Sequence, residues 1–216
     1  MSEPVLFIDR DGVIVKDIGG ITKPKEIRLV RQAGKALAEI NRNNITVLLI
    51  VEQPADLDKL ITTQQAYEIE TELRRKLART KASFLTTCIC PPPSDSDIDF
   101  KKLDFSCRKP NPTLFFTASE KYNIDFSKSA IVTDNFKTLE TASNIGLPLG
   151  IFIKNKRQEF ALVEKNRDKL SPMKIEMFSS IYIARTTITQ FFKDTKVIKK
   201  RPPSNVESSE VRGVKK

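Results

Sequence analysis

The sequence predicts an α/β fold, a doubly wound parallel sheet with helices on both faces, a minimal cap and a C-terminal extension. Short apolar runs typical of buried strands alternate along the chain with amphipathic segments typical of helices. Acidic residues follow several of the runs, and the carboxyl ends of parallel strands meet at one edge of a sheet. We therefore expect the functional site at that edge.

The first predicted strand begins the segment VLFIDRDGVI, residues 5–14, in which an apolar run breaks into Asp9 and Asp11 before a glycine. One carboxylate at such a strand end could attack a phosphorus atom or hold Mg²⁺, while its neighbour passes a proton to the leaving group. The same D-x-D-G pattern also occurs in calcium loops and in ordinary strand-to-turn corners.

The remaining elements follow in order. Residues 27–41 have apolar side chains at helical spacing, and residues 45–51, ITVLLIV, form a β-rich run that ends before Glu52. Further along, the patterns predict a helix over 64–78, a short strand around 84–90, a proline- and aspartate-rich loop over 91–104, a helix over 113–122, a strand over 130–132 that ends at Thr133 and Asp134, a helix over 136–144 and a strand over 149–153.

Composition narrows the class of protein. At 216 residues with 39% hydrophobic content, the chain suits one domain with an appendage. No apolar run approaches the roughly 18 residues that span a bilayer, and the first residues are too polar for a signal peptide, so we expect a cytoplasmic or nuclear protein without membrane contact. The absence of histidine excludes Ser-His and Cys-His catalysis. Three cysteines favour reduced thiols over a disulfide framework.

The charge of the chain is strongly basic. A net charge of +10 indicates a polyanionic partner or a phosphorylated ligand. Residues 193–216 contain eight basic and three acidic residues, a net +5, with a Pro-Pro break and few large apolar side chains. This composition predicts a disordered tail, which either solubilises the protein or binds nucleic acid.

Four short motifs together resemble a known family. IDRDGVI, IVEQ, CRKPNP and IVTDN occur in the order and with the wording of haloacid dehalogenase (HAD) superfamily phosphatases, within the histidinol-phosphate and heptose-bisphosphate phosphatase branch. In that branch the first motif typically reads DRDGV and the lysine motif CRKP-x-P. The resemblance covers residues 5–153 and predicts a HAD-like, Rossmann-type phosphatase domain over residues 1–170.

The resemblance implies a role for each motif residue. Asp9 would be the nucleophile that forms an aspartyl-phosphate, and Asp11 the general acid and base. Mg²⁺ would bridge Asp9, the Asp11 backbone carbonyl and Asp134, while Lys109 and its neighbour Arg108 would bind the phosphoryl group. The substrate would be a phosphorylated small molecule. A nucleic-acid 3′-phosphate would suit both a phosphatase and a protein that binds nucleic acid, but no residue of the sequence specifies it. Two plainer alternatives stay open: Lys109 as a surface lysine in a Pro-bracketed turn, and Asp134 as a helix N-cap.

Two positions depart from the family pattern. The second strand normally ends in Thr or Ser followed by Asn-Gln, whereas this chain has Val51 and Glu52 before Gln53. A lost hydrogen bond to a charged group costs about 1.5–3 kcal/mol, so we expect weakened phosphatase activity. Thr138 also stands where the family tends to have an acidic residue.

The cysteines match a family zinc loop only in part. Many members of the branch bind Zn²⁺ through a C-x-H pair and a C-x-C pair. Here Cys90 and Cys107 hold two of those positions and Pro92 and Phe105 the other two, with Cys88 as a conceivable third ligand. An incomplete ligand set predicts three thiols rather than a zinc site.

Residues 171–192 form a predicted C-terminal segment with a second motif. Arg185, Ile188, Phe191 and Phe192 resemble the PIP box that docks on the sliding clamp (PCNA), with Arg185 in place of the usual glutamine. The alternative is a helix or strand that packs on its own core. If the motif docks, the chain could be an inactive HAD-like scaffold that binds the clamp and, through its basic tail, nucleic acid.

Overall fold

The sheet has six parallel strands. The computed structural model describes residues 2–53, 61–90 and 107–195. Within these residues the strands lie in the order β3-β2-β1-β4-β5-β6. Their bounds are β1 Val5–Asp9, β2 Thr46–Glu52, β3 Thr86–Cys90, β4 Ala130–Thr133, β5 Leu149–Ile153 and β6 Lys174–Phe178.

Helices cover both faces of the sheet, as the doubly wound prediction requires. Side chains alternate along β1, so Leu6 and Ile8 join one core cluster while Val5 and Phe7 join the other. Helices α1, α2 and α6 contribute to the first cluster, and α3, α4 and α5 to the second. The helices are α1 Ala33–Arg42, α2 Thr63–Ala78, α3 Thr113–Tyr122, α4 Phe136–Asn144, α5 Arg157–Lys165 and α6 Ile181–Asp194.

The strand order reverses next to β1. The chain passes from β1 to β2 and β3 on one side, and then returns to β4, which pairs with β1 on the other side. Parallel α/β sheets bind ligands beyond the strand carboxyl ends at such a switch point. Asp9 ends β1 and Asp134 directly follows β4, so both lie at this point.

The first helix is shorter than predicted. Residues 27–32 of the predicted helix are not helical, and α1 begins at Ala33. The backbone N–H of Lys16 donates to the Arg28 carbonyl and that of Val30 to the Ile14 carbonyl, at 2.8 and 2.9 Å. These bonds to the segment after β1 hold residues 28–30 extended, in competition with the helical pattern. The segment between β1 and α1 contains no helix besides a 3₁₀ turn at Pro24–Glu26. Any cap formed by this segment is therefore minimal.

The C-terminal segment belongs to the sheet. The predicted boundary at residue 170 does not separate a body from an appendage, because β6 pairs in parallel with β5 and α6 packs beside α1. The pairing of β6 adds an edge strand to the sheet, and the packing beside α1 buries the apolar side of α6. The predicted loop over 91–104 lies outside the described residues, as does the predicted tail beyond Thr195. In the described part of the chain, no helix is long and apolar enough to cross a membrane.

Candidate active site

A cleft of about 730 Å³ opens beyond the carboxyl ends of the strands. Its described lining contains more acidic than basic side chains, the reverse of the chain as a whole with its net charge of +10. The carboxylates are those of Asp9, Asp11, Asp17, Glu52, Asp134, Glu140 and Glu159, and the cations those of Arg108, Lys109, Lys137 and Lys156.

Asp9 is buried at the base of the cleft and is held by three side chains. Thr133 and Thr138 both donate hydroxyl hydrogen bonds to Asp9 Oδ2, the second at 2.9 Å. Lys109 Nζ lies 3.3 Å from Asp9 Oδ1. The two hydrogen bonds and the ammonium charge offset the cost of burying the Asp9 carboxylate.

Lys109 points into the cleft. Its side chain is only 9% exposed, so the alternative of a surface lysine is wrong. It donates to Thr138 Oγ1 at 2.6 Å, and that hydroxyl in turn donates to Asp9. Thr138 therefore bridges Lys109 and Asp9, and stands where the family pattern predicts an acid.

The side chain of Asp11 is oriented by its neighbour. Arg10, itself buried, donates from Nε to Oδ1 at 3.0 Å and from NH2 to Oδ2 at 2.8 Å. A bidentate guanidinium–carboxylate pair fixes the plane of both groups. Asp11 thus lines the cleft in a defined orientation, two residues beyond Asp9.

Asp134 is buried next to Gly12, which lies in the turn that follows β1. It is not the N-cap of α4; that role belongs to Asn135, whose side chain accepts from the Thr138 backbone N–H at 3.2 Å. Among the described residues, Asp134 Oδ2 accepts no hydrogen bond of regular geometry. A Cβ at Gly12, where φ is +83°, would come within 2.1 Å of that oxygen, so only glycine fits there.

Lys156 partly offsets the charge of Asp134. Its Nζ lies 3.0 Å from Asp134 Oδ2, as an ion pair without hydrogen-bond alignment, and 2.7 Å from Asp17 Oδ2. Burial raises the pKa of Asp134, the charge of Lys156 opposes this and the charge of Asp9 adds to it. Burial disfavours the Lys156 ammonium, but its hydrogen bond to Asp17 and the Asp134 charge raise its pKa overall. Asp134 is thus a buried carboxyl group whose negative charge the Lys156 ammonium offsets only in part.

The end of β2 contributes charge but no hydroxyl group. Val51 is buried, and the Gln53 side-chain oxygen accepts from the Ile61 N–H at 2.9 Å. Arg108 NH1 donates to the Gln53 carbonyl at 2.7 Å and lies 3.4 Å from Glu52 Oε1. The hydroxyl groups near Asp9 therefore come from β4 and α4, through Thr133 and Thr138, and not from β2.

The oxygen atoms of Asp9 and Asp134 suit a hard cation. In the described ranges no group of three or more His, Cys, Asp or Glu side chains could hold a metal ion. Mg²⁺, however, is commonly bound through one or two carboxylates and keeps several waters. The buried Asp134 Oδ2, which pairs with Lys156 but accepts no hydrogen bond of regular geometry, fits this requirement.

The cysteines correct one prediction. Cys90 at the end of β3 and Cys107 form a disulfide, with the Cα atoms 5.8 Å apart, instead of the expected reduced thiols. An odd number of cysteines did not indicate a disulfide. Which two of them pair depends on which positions the fold brings together. Cys88 is a free thiol. Pro92 and Phe105, at the other two family zinc positions, lie outside the described residues.

The PIP-box-like motif is built into the core. Ile188 and Phe192 are fully buried in the cluster between α6 and α1, and Arg185 Nε donates to Glu39 Oε2 at 2.7 Å. Phe191 is partly buried and meets the Phe192 ring edge to face at 5.2 Å between centroids. The prediction of an accessible three-pronged plug is therefore wrong for Ile188 and Phe192, and the alternative of a helix on its own core holds. The apolar residues of the motif have this spacing because they lie on the side of α6 that packs into the core.

Sequence reasoning missed several residues of the site. Thr133 and Thr138 hold Asp9, and Lys156 and Asp17 pair beside Asp134. Two signals were available: Thr133 ends a predicted strand, and Lys156 follows another by three residues. The sheet-edge rule that singled out Asp9 and Asp134 applies equally to them.

Sequence relatives of the chain are sugar-phosphate phosphatases. No family model matches the chain. The D-glycero-D-manno-heptose-1,7-bisphosphate 7-phosphatase of Chlorobaculum tepidum is 28% identical over 179 residues, 77% of this chain and 86% of the relative. The D-glycero-beta-D-manno-heptose-1,7-bisphosphate 7-phosphatase of Vibrio cholerae is 25% identical over 154 residues, 71% of this chain and 83% of the relative.

Solved structures share the fold. The D,D-heptose 1,7-bisphosphate phosphatase of B. bronchiseptica, determined with magnesium and phosphate, superposes with a TM-score of 0.68 at 20% identity, covering 87% of this chain and 98% of that one. A HAD-like phosphatase from Mesorhizobium loti gives a TM-score of 0.63 at 19% identity, covering 93% and 90%. The six-stranded parallel sheet with helices on both faces is thus the HAD-like fold.

Proposed function

We propose that this chain is a Mg²⁺-dependent phosphomonoester hydrolase that works through an aspartyl-phosphate on Asp9. The observation that carries the proposal is the buried Asp9 carboxylate, held by Lys109 and two threonine hydroxyls at the switch point of the sheet. Asp134, whose negative charge Lys156 offsets only in part, lies near Asp9. The similarity to heptose-bisphosphate phosphatases supports the same reaction class.

In the first step an Asp9 carboxylate oxygen attacks phosphorus and the bond from phosphorus to the ester oxygen breaks. Asp11, protonated and turned away from Arg10, gives its proton to the departing oxygen, and Lys109 stabilises the charge on the phosphoryl oxygens. In the second step water attacks the phosphorus of the aspartyl-phosphate, and Asp11 accepts the proton. Phosphate leaves and the Asp9 carboxylate is restored.

The carboxylates of Asp9 and Asp134, with the main-chain carbonyl of Asp11, would hold Mg²⁺. When bound, the ion would neutralise repulsion between the carboxylate and an anionic phosphate. Lys156 pairs with Asp134 and offsets part of its charge, and Asp17 holds Lys156 in this position.

We further propose that turnover is slower than a site with the usual β2 hydroxyl would give. Val51 offers no donor, and Glu52 places a negative charge beside Arg108. The substrate class is a phosphorylated small molecule, in keeping with the relatives, which are named for a heptose bisphosphate. A nucleic-acid 3′-phosphate is the alternative substrate, and a 3′-phosphorylated oligonucleotide belongs in the same assay.

The nucleophile is tested by Asp9→Asn. With Mg²⁺ and p-nitrophenyl phosphate, we expect the substitution to lower turnover by a factor on the order of 10⁴, or to background. Glu68→Gln, which removes an exposed carboxylate from α2, is the matched control and should leave the rate unchanged. Equal rates for the Asp9→Asn variant and the unchanged protein would overturn the proposal.

The binding-protein alternative has little to support it in the described residues. Clamp docking requires an accessible Ile188 and Phe192, and both are buried against α1. The basic segment proposed to bind nucleic acid lies almost entirely beyond Thr195, outside the described residues. The enzymatic function therefore has the stronger basis.

A further inference from the structure

Glu52 faces two of the cations of the cleft. It is the last residue of β2, and its side chain is 30% exposed. Its Oε1 lies 3.4 Å from Arg108 NH1, and its Oε2 lies 3.9 Å from Lys109 Nζ. The Glu52 carboxylate thus lies within ion-pair distance of both cationic side chains that follow Cys107 in the sequence, those of Arg108 and Lys109.

The remaining cations of the described lining do not compensate for Glu52. Lys156 lies within ion-pair distance of both Asp17 and Asp134. Lys137, on α4, is exposed at the solvent side of the cleft. An anion that binds beside Arg108 is therefore next to the Glu52 carboxylate, and within the described lining neither Lys137 nor Lys156 lies within ion-pair distance of Glu52.

We infer that Glu52 is a specificity-determining residue that restricts the site to phosphomonoesters whose leaving group carries no second anionic group. The transferring phosphoryl group lies next to Lys109, which Thr138 and Asp9 hold at closer range than Glu52 does. A second phosphate on the leaving group would have to share Arg108 with Glu52, and like charges at that range repel strongly in a partly buried site. The inference rests on the proposed function, and it separates this chain from relatives named for a bisphosphate.

Substrate selectivity tests the inference. For Glu52→Gln we expect kcat/KM for fructose 1,6-bisphosphate to rise about tenfold, while that for fructose 6-phosphate changes less than about threefold, because one like-charge contact is removed. Glu140→Gln removes the same charge from the cleft lining but pairs with none of the described cations, so it should leave the ratio of the two values unchanged. An unchanged ratio in Glu52→Gln, or an equal change in Glu140→Gln, would overturn the inference.

A binding measurement keeps this test separate from turnover. Methylenebisphosphonate carries two linked anionic groups and cannot be hydrolysed, so its affinity can be measured by isothermal titration calorimetry whether or not the chain is active. We expect about tenfold tighter binding by Glu52→Gln than by the unchanged protein, and no tightening by Glu140→Gln. A rate of turnover that is the same with and without the Asp9 carboxylate would reject the proposed function, whereas unchanged bisphosphonate affinity in Glu52→Gln would reject the role of Glu52. Identical thermal unfolding of the variants shows that each is folded.

Discussion

At the residue scale, Thr138 departs from the family pattern and yet connects two residues of the proposed site. Its hydroxyl accepts from Lys109 Nζ at 2.6 Å and donates to Asp9 Oδ2 at 2.9 Å. A carboxylate at this position would bind the lysine more strongly, but it would also bring a second negative charge next to Asp9. The neutral hydroxyl orders both groups without that repulsion.

Thr138→Val should disconnect Lys109 from Asp9. The substitution keeps the shape of the side chain but removes both hydrogen bonds, so we expect kcat to fall about tenfold and the free energy of unfolding to fall by about 1–3 kcal/mol. Thr138→Ser should restore most of the rate. Steady-state kinetics and urea unfolding measure the two effects.

Thr141→Val is the matched control for Thr138. Thr141 is also buried on α4, but its hydroxyl donates to the Lys137 carbonyl at 2.7 Å, away from Asp9. This control should change stability without changing kcat. A Thr138→Val enzyme with an unchanged rate would contradict the bridging role.

At the element scale, the disulfide joins the end of β3 to the segment that supplies Arg108 and Lys109. Cys107 immediately precedes those residues, and the bond closes a loop with a sequence separation of 17. The link therefore fixes one end of the lysine segment to the sheet. Beside it, burial raises the pKa of Cys88 to about 11, so this residue stays a thiol at neutral pH.

Replacing Cys90 and Cys107 together by serine should lower the free energy of unfolding by about 3 kcal/mol, the entropy cost of a loop of this length in the unfolded chain. Urea unfolding checks the value. Mass spectrometry after alkylation without reductant should find only Cys88 modified, and only slowly in the folded protein. Cys88→Ser is the control; equal stability of the double variant and the control would contradict a bond between Cys90 and Cys107.

Helix α6 gives a second prediction at this scale. Phe192 is fully buried, so Phe192→Ala should lower the free energy of unfolding by about 3–5 kcal/mol, and Phe191→Ala, at a partly buried position, by clearly less. If these residues docked on a sliding clamp instead, both substitutions would leave the free energy of unfolding unchanged and would abolish binding to the clamp. Thermal or urea unfolding separates the two accounts, and a fully stable Phe192→Ala variant would restore the docking interpretation.

At the scale of the whole molecule, overall charge and local charge have opposite signs. The chain has a net charge of +10, while the described lining of the cleft at Asp9 is predominantly acidic. A basic isoelectric point is thus a poor guide to what this cleft binds. The acidic lining favours a divalent cation, in agreement with the proposed Mg²⁺ requirement.

Mg²⁺ should therefore stabilise the entire fold. A ligand that binds only the native state raises its stability by mass action, and at 100 times its dissociation constant Mg²⁺ should raise Tm by about 5 °C or more. Differential scanning fluorimetry with and without Mg²⁺ measures the shift. Asp134→Asn should abolish it, and an equal shift in that variant would place the ion elsewhere.

Local patterns were enough for the elements that have a strong apolar period. Helices α3 and α4 and strand β5 begin and end where the sequence predicts. Helix α1 does not, because backbone pairing with the segment after β1 competes with its pattern. Strand β6 was missed, since its burial as an edge strand is only partial and its apolar signal is correspondingly weak.

The sequence by itself determined the α/β architecture and the positions of Asp9, Lys109 and Asp134, since strand periodicity and short motifs are local properties of the chain. Only the tertiary structure decided which hydroxyls hold Asp9, which cysteines pair, and that Ile188 and Phe192 are buried. These contacts join residues far apart in the chain, 129 positions apart in the case of Thr138 and Asp9. Their distances follow from how the helices pack on the sheet, which no local pattern specifies.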